Sequence, residues 1–301
     1  MNMILTSTTG GLGADAIEPF FYSLRLSGYQ DSVVVFASRI SDQSREVLRK
    51  YQATVVEFDY RGMPVVANLT DRLPWAWKMI SGYYRHHRFS EKDFRYLVIN
   101  CSRFFCYYQY LSGLQHKPKY VLQADIRDIV FQKDPFSFPF HSGLSVTTEC
   151  QIIIKSRCAI KHLCETVGLL EMGRLARREI INCGTTVADF DTTMQYLELM
   201  TSHFNRAFFW ALFEGIDQAL HTYFVHKKLL DPIHIYNNWS GPFLTLDRVI
   251  VPSERKSAEG YLCNEDGSIV PIVHQYDRVK GLFKNGEAVP PCWKFYKRTA
   301  P

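Results

Sequence analysis

The sequence predicts an α/β fold whose central sheet is mainly parallel and covered by helices on both faces. Two observations carry this reading. Short β-branched runs alternate with helical periodicity up to residue 58, and the first of these runs breaks into a glycine loop before a helix. The chain has 301 residues, of which 47% are hydrophobic and 22% charged, a balance that excludes disordered and fibrous classes. Its length suffices to bury a full core without disulfide or metal staples.

Residues 3–9 are apolar and β-branched and predict a strand. Gly10, Gly11 and Gly13 break it, and Phe20, Phe21, Leu24 and Leu26 mark a helix that Gly28 ends. Residues 33–36 predict a second buried strand, Ser41 or Asp42 caps a helix through Leu48, and residues 54–58 predict a third strand. Such alternation implies parallel pairing with covered faces. Residues 61–96, rich in Pro, Trp, Tyr, His and Arg, follow neither period and read as a loop-and-helix region. Asn100 is the expected N-cap of a helix running through Phe104, Phe105, Tyr108 and Leu111 to Gly113, and residues 120–123 predict a buried strand ending in charge. Further strands are expected near 145–148, 151–154 and 180–188, with a basic helical stretch to Arg178 before the last. Asp191 is the expected cap of a helix with Met194, Leu197, Met200 and Phe204 on one face, and another helix covers about 216–229. The turn Asn264-Glu265-Asp266-Gly267 leads into a strand over 268–274 and a basic tail.

No apolar stretch approaches the roughly 20 residues of a bilayer crossing, and the N-terminal segment lacks the features of a secretory signal. A cytoplasmic location is expected. The eight cysteines form no CxxC pair, which fits free thiols used as small hydrophobes in a reducing compartment. A net charge of +5, mixed along the chain, does not point to nucleic acid, and no nucleic-acid partner is expected. The tail Lys294-Phe295-Tyr296-Lys297-Arg298 offers at most a peripheral contact with anionic lipid.

The chemistry concentrates after the strand at 120–123. There Asp125 and Asp128 bracket a turn, followed by Asp134-Pro135-Phe136. Ligands of open α/β sheets bind at this end of the strands, and two carboxylates can share a hard divalent cation while leaving positions for phosphate oxygens. The bland alternative is a polar loop with surface pairs Arg127–Asp128 and Lys133–Asp134.

This acidic block resembles the signature of GT-A fold glycosyltransferases, with the paired carboxylates three apart where that family's usual spacing is two. The resemblance implies one Rossmann-like nucleotide-binding domain over 1–301 with a mixed, mainly parallel sheet. Residues 1–140 would hold the nucleotide, and 141–301 the acceptor and a closing segment. It also implies transfer of a sugar from a nucleotide diphosphate sugar, UDP-sugar before GDP-sugar, to a glycan or lipid-linked saccharide, with Mn2+ or Mg2+ on the diphosphate.

The remaining roles follow from that resemblance. Asp125, Asp128 and His274 are the implied metal ligands, and which of the two aspartates touches the ion directly stays open. Arg103, Arg278 and Lys280 are implied on donor phosphate, with Thr8, Thr9 and Gly10 on base or ribose. Asn182 and Gly184, in an Asn-x-Gly element, are implied beside the transferred sugar. Asp217 and Gln218 are the implied catalytic pair, as base in an inverting reaction or as positioning groups in a retaining one. Trp239 is a candidate to stack on the acceptor. Each has a structural alternative: a helix N-terminal Asp217, a satisfied core His274, a surface Arg103, a packed loop Trp239.

Other classes fit less well. The loop Gly10-Gly11-Leu12-Gly13 lacks the G-x-G-x-x-G fingerprint of dinucleotide binders. A sugar nucleotidylyltransferase usually carries basic residues in its N-terminal phosphate loop, whereas Arg25 is the first basic residue here. A non-catalytic partner-binding protein that keeps the fold is the third class.

Overall fold

The structure, a computed structural model, describes residues 1–62, 93–247, 249–279, 281–283 and 286–296, with the side chains of residues 208 and 209 excepted. Most of the 61–96 region, together with Lys280, Lys297 and Arg298, lies outside the described residues.

The first half-sheet forms as expected. β1 (Met3–Thr9), α1 (Ala14–Leu26), β2 (Ser32–Ser38), α2 (Asp42–Lys50) and β3 (Thr54–Glu57) alternate, and β1 pairs parallel with β2 and β2 with β3. Of the two candidate caps of α2, Ser41 is used, accepting from the backbone N–H of Ser44. Side chains on the strands alternate between faces. Met3, Leu5, Val34 and Phe36 enter one core, while Ile4, Val33, Val35 and Ala37 enter the other, which α1 and α2 cover with Phe20, Phe21, Leu24 and Leu48.

The next elements are α3 (Ile99–Ser112), β4 (Tyr120–Ala124), β5 (Ile129–Phe131), β6 (Leu144–Ile152), α4 (Arg157–Thr166) and α5 (Leu169–Leu175). β7 (Glu179–Ile181), β8 (Thr185–Asp189), α6 (Phe190–Arg206) and α7 (Asp217–His226) follow, then β9 (Ile233–Tyr236), β10 (Phe243–Thr245) and β11 (Ile272–His274). α3 and α6 cover the first core with Phe104, Tyr107, Leu197 and Met200.

Several boundaries differ from expectation, each for a local reason. α3 is capped at Val98, so Asn100 falls inside its first turn. Residues 145–148 and 151–152 belong to one strand, β6, that runs into a 3₁₀ turn at Ile153–Lys155. Residues 180–188 are the converse: the Asn182 side-chain oxygen accepts from the N–H groups of Gly184 and Thr185, and this turn splits the run into β7 and β8. α6 is capped by Asp189, which accepts from Thr192, while Asp191 pairs with Lys117 on the surface.

β4 joins β1 on the side away from β2, in parallel. β8 then pairs antiparallel with β4, β6 antiparallel with β8 and β7, and β9 parallel with β6. Among the described residues the sheet order is β3-β2-β1-β4-β8-β6-β7, with β9 on β6, and its pairings are mixed and mostly parallel. A second sheet has β10 parallel to β11 and β11 antiparallel to β5. Gln132 fastens the C-terminal region to it: its amide oxygen accepts from Leu262 N–H and Trp293 Nε1–H, and its nitrogen donates to the carbonyls of Leu262 and Val270. All eight cysteines are free thiols and five are buried. Among the described residues no helix is long and apolar enough to cross a membrane.

Candidate functional site

The chain leaves β1 toward β2 and returns to β4 on the opposite side, which opens a crevice at the carboxyl ends of these strands. Because β8 is antiparallel to β4, it begins where β4 ends, with Ala124 opposite Thr185. The Asn182–Gly184 turn therefore sits against Asp125, whose N–H donates to the Gly184 carbonyl at 2.9 Å. The second sheet supplies the histidine. Pairing of β11 with β5 sets His274 opposite Ile129, and Gln275 N–H donates to the Asp128 carbonyl at 2.7 Å.

This register gathers side chains from distant parts of the chain, His274 from near its end and Asp125 and Asp128 from its middle. His274 Nε2 lies 3.4 Å from Asp128 Oδ1 and 3.7 Å from Asp125 Oδ2. His274 is 2% exposed, and neither ring nitrogen makes a hydrogen bond. A Cβ on Gly184 would come within 2.6 Å of His274 Nε2 and 2.7 Å of Asp125 Oδ2. An unpartnered buried imidazole facing two carboxylates, in a space kept open by a glycine, fits a divalent cation with mixed nitrogen and oxygen ligands. Burial lowers the pKa of the His274 imidazolium, but the carboxylates of Asp128 and Asp125 outweigh it and lift it to about 10.

Arg103 stands behind this cluster on α3. Its buried guanidinium pairs with Asp125 and lies 3.1 Å from Asp217 Oδ2. Burial would raise the Asp125 carboxyl, but Arg103 and His274 hold it well below the usual carboxylate range. For Asp217 burial prevails over Arg103, and the neighbouring Asp125 adds to the upward shift. The resemblance implies Arg103 on donor phosphate; the structure engages it as a brace between two carboxylates.

Two cavities meet over Asn100, Arg103 and Asp125. One, of about 430 Å³, is lined by Thr8, Thr9, Gly11, Arg127 and Asp128. The buried Thr8 hydroxyl has no hydrogen-bond partner. The other, of about 340 Å³, is lined by Glu149, Asn182, Gly184, Asp217, Gln218, His274 and Arg278. α7 carries Asp217 and Gln218 there, tied to the β7 end by Thr222, which accepts from Ile181 N–H. Arg278 Nη2 lies 3.8 Å from Asp128 and Nη1 3.6 Å from Asp247.

Two expected contributors line neither cavity. Gly10 instead makes room for the Arg39 carbonyl, which a Cβ would meet at 2.4 Å. Trp239 packs against the core of the second sheet, with the Arg255 guanidinium 5.9 Å from its ring centre. The Asp134-Pro135-Phe136 element is a turn closed by Asp134, which accepts from Phe136 N–H, and Tyr29 covers Phe136.

Two acidic groups enter that no sequence motif marks. Glu149 accepts from the Asn182 amide at 2.8 Å, and burial raises its pKa. The amide oxygen of Asn182 is taken by three donors of the chain, so it is Glu149 that Asn182 offers to the cavity. Asp247 follows β10 and reaches the same wall. The available signal is the break that Glu149 makes in the buried run 144–148.

A second cluster, His162, Glu165 and Glu214, flanks the cavity beside α4. His162 Nε2 is 2.6 Å from Glu214, and Lys161 already supplies positive charge to both carboxylates. Burial, then Glu214, raise the Glu165 carboxyl to about 7. The folded state thus holds a proton that the unfolded chain releases between its ordinary value and pH 7, so stability falls as pH rises through that window. Glu165→Gln is expected to add about 1–3 kcal/mol at pH 8 and clearly less at pH 5, measured by thermal melting at both values. An equal shift at the two values would show that Glu165 is not the titrating group.

No protein-family model matches this sequence, and no curated protein matches it significantly. Among solved structures, an active-site Gln-to-Glu mutant of LgtC matches with TM-score 0.52 and 10% identity, over 98% of this chain and 94% of that one. The galactosyltransferase LgtC in complex with donor and acceptor sugar analogues matches with TM-score 0.50 and 11% identity over the same shares. What is shared at this identity is the fold: an α/β, mostly parallel mixed sheet flanked by helices, of the GT-A glycosyltransferase type.

Proposed function

We propose that this chain, acting as a single domain, transfers a sugar from a nucleoside diphosphate sugar, UDP-sugar before GDP-sugar, to a glycan or lipid-linked saccharide. The observation that carries this is the Asp125–Asp128–His274 cluster at the junction of two polar cavities. The cavity at the β1 loop takes the nucleotide, with the unpaired Thr8 hydroxyl and Thr9 facing base or ribose. The other takes the sugar and the acceptor.

The three ligands hold Mn2+ in preference to Mg2+, because a histidine nitrogen favours the transition ion. A divalent cation bound there supplies the charge that stabilises a leaving diphosphate. Arg278, exposed at the cavity mouth, holds donor phosphate, together with Lys280 two residues later in the sequence. Arg103 is a positioning residue that keeps Asp125 ionised and Asp217 in place. Gln218 and Glu149, which line the same cavity, face the reacting sugar and orient its hydroxyls or those of the acceptor. That LgtC, whose fold this chain shares, holds donor and acceptor sugar analogues supports reading the two cavities as places for a donor and an acceptor. Trp239 is left out of the acceptor site in this reading, because it lines neither cavity and its half-buried ring packs against the second sheet's core.

The test is calorimetric titration of UDP and of GDP with and without Mn2+, on wild type and Asp128→Ala. Metal-dependent binding of one nucleotide, lost in the variant, is expected. A folded wild type that binds neither would sink the reading and favour a non-catalytic role.

A further inference from the structure

We propose that the surface formed by residues 153–178 docks on an anionic lipid bilayer. Its apolar part is unusual for side chains facing water. Leu169 is 69% exposed, Leu170 80% and Ile154 55%. They belong to one region, because Ile154 N–H donates to the carbonyl of Ala176 at 2.8 Å, which sets Ile154 beside the end of α5. Along α5, Met172 and Leu175 turn inward to a small core. Leu170 and Arg174, one helical turn apart, lie on the opposite side.

The charge around these side chains selects the occupant. Residues 153–178 contain six Lys and Arg and two Glu, a difference of +4 in a chain whose total is +5. Both carboxylates are already engaged. Glu171 pairs with Arg174 and, at 2.8 Å, with Lys227, and Glu165 lies 4.0 Å from Lys161. Lys155, Arg157, Arg177 and Arg178, on the same segment, are exposed, and Lys155 and Arg177 adjoin the Ile154–Ala176 contact in sequence. Exposed leucines on a segment with an excess of exposed cations match an apolar layer under anionic headgroups; the net charge is complementary to such a surface and opposes a second copy of the same face.

The location gives the surface a consequence. α4 presents Arg157 and Lys161 outward while Ala159 and His162 line the 340 Å³ cavity. Docking therefore brings that cavity to the headgroup level, where a lipid-linked acceptor would be met. That consequence rests on the transferase reading above; the docking itself does not.

The experiment is co-sedimentation of the full chain with vesicles of mixed phosphatidylglycerol and phosphatidylcholine, and with phosphatidylcholine alone, at about 0.1 M salt. Neither donor nor metal is added, so a failure to bind vesicles is distinct from a failure to bind nucleotide. Binding to the anionic vesicles is expected, weakened at least about tenfold by Leu169→Glu with Leu170→Glu, and similarly by Arg174→Glu with Arg177→Glu. Both pairs lie on the surface, and retained melting temperature shows that they fold. Wild type that stays in solution overturns the proposal. So does binding that the leucine pair leaves unchanged while Lys297→Ala with Arg298→Ala abolishes it, since the tail would then be the anchor. Wild type that is dimeric without vesicles, and monomeric with the leucines changed, would assign the surface to a second copy instead.

Discussion

Gly184→Ala is expected to reduce Mn2+-dependent nucleotide affinity about a hundredfold or more while the protein remains folded. The added methyl would lie 2.6 Å from His274 Nε2 and 2.7 Å from Asp125 Oδ2, inside the space that the proposed ligands Asp125, Asp128 and His274 surround. Neither neighbour can retreat easily. His274 is buried on β11 with Gln275 bonded to the Asp128 backbone, and Asp125 is clamped by Arg103. The backbone conformation of Gly184 is not left-handed, so an alanine there is excluded by crowding rather than by strain. Overpacking by one methyl costs about 1–3 kcal/mol, which a chain of this size survives. Gly173→Ala, at an exposed site on α5 with nothing within 4 Å, is the matched control and should leave affinity unchanged. The readouts are Mn2+ binding by electron paramagnetic resonance and UDP titration with Mn2+. Retention of affinity within about threefold would show that the ion sits away from Gly184.

The parts of this site differ in how far local chemistry announces them. β1, its glycine loop and the acidic turn after β4 are legible because buried strands are continuous apolar runs and their ends are marked by Gly or Asp. The mostly parallel first half follows from the same alternation. β9 and β10 are not legible, since strands of three or four residues are too short to give a periodic signal. The split between β7 and β8 is masked by the strand-favouring Ile180, Ile181, Thr185, Thr186 and Val187 on either side of the Asn182-x-Gly184 element, whose Asn182 side chain reaches three donors ahead of it. His274 is singled out by its place after a strand, but its meeting with Asp128 depends on the antiparallel register of β11 on β5, a contact between distant segments. Glu149 and Asp247 carry no motif at all, and only the fold brings them to the cavity. Arg103 is found by position, and it does line both cavities, but its partners in space, Asp125 and Asp217, differ from the diphosphate that the motif implies and are supplied only by the fold.

That difference in partners yields the second large effect. Arg103→Met removes the positive charge lying between Asp125 and Asp217, and leaves a half-buried and a buried carboxylate facing each other. Breaking a buried ion pair from one side costs about 3–5 kcal/mol, or roughly 5–8 °C in melting temperature for a chain of this length. The cost should depend on pH in a way that simple loss of packing does not. In wild type, Asp125 is held below the ordinary carboxylate range, so its contribution is present above that range and is lost as pH falls through its lowered folded value. Without Arg103, the main opposition to the burial and mutual repulsion that already raise Asp217 is gone, and the folded state gains by taking up a proton. The deficit of Arg103→Met relative to wild type should therefore be largest near pH 8 and shrink toward pH 5, with both proteins melted in chelator. Mn2+ should restore part of it, because a cation on Asp125 replaces some of the missing charge. Arg103→Lys, which keeps the charge but not the two-pronged geometry, should fall between the two proteins. A deficit that is constant with pH and unmoved by Mn2+ would make Arg103 a packing residue, and the coupling of Asp125 to Asp217 through it would have to be abandoned.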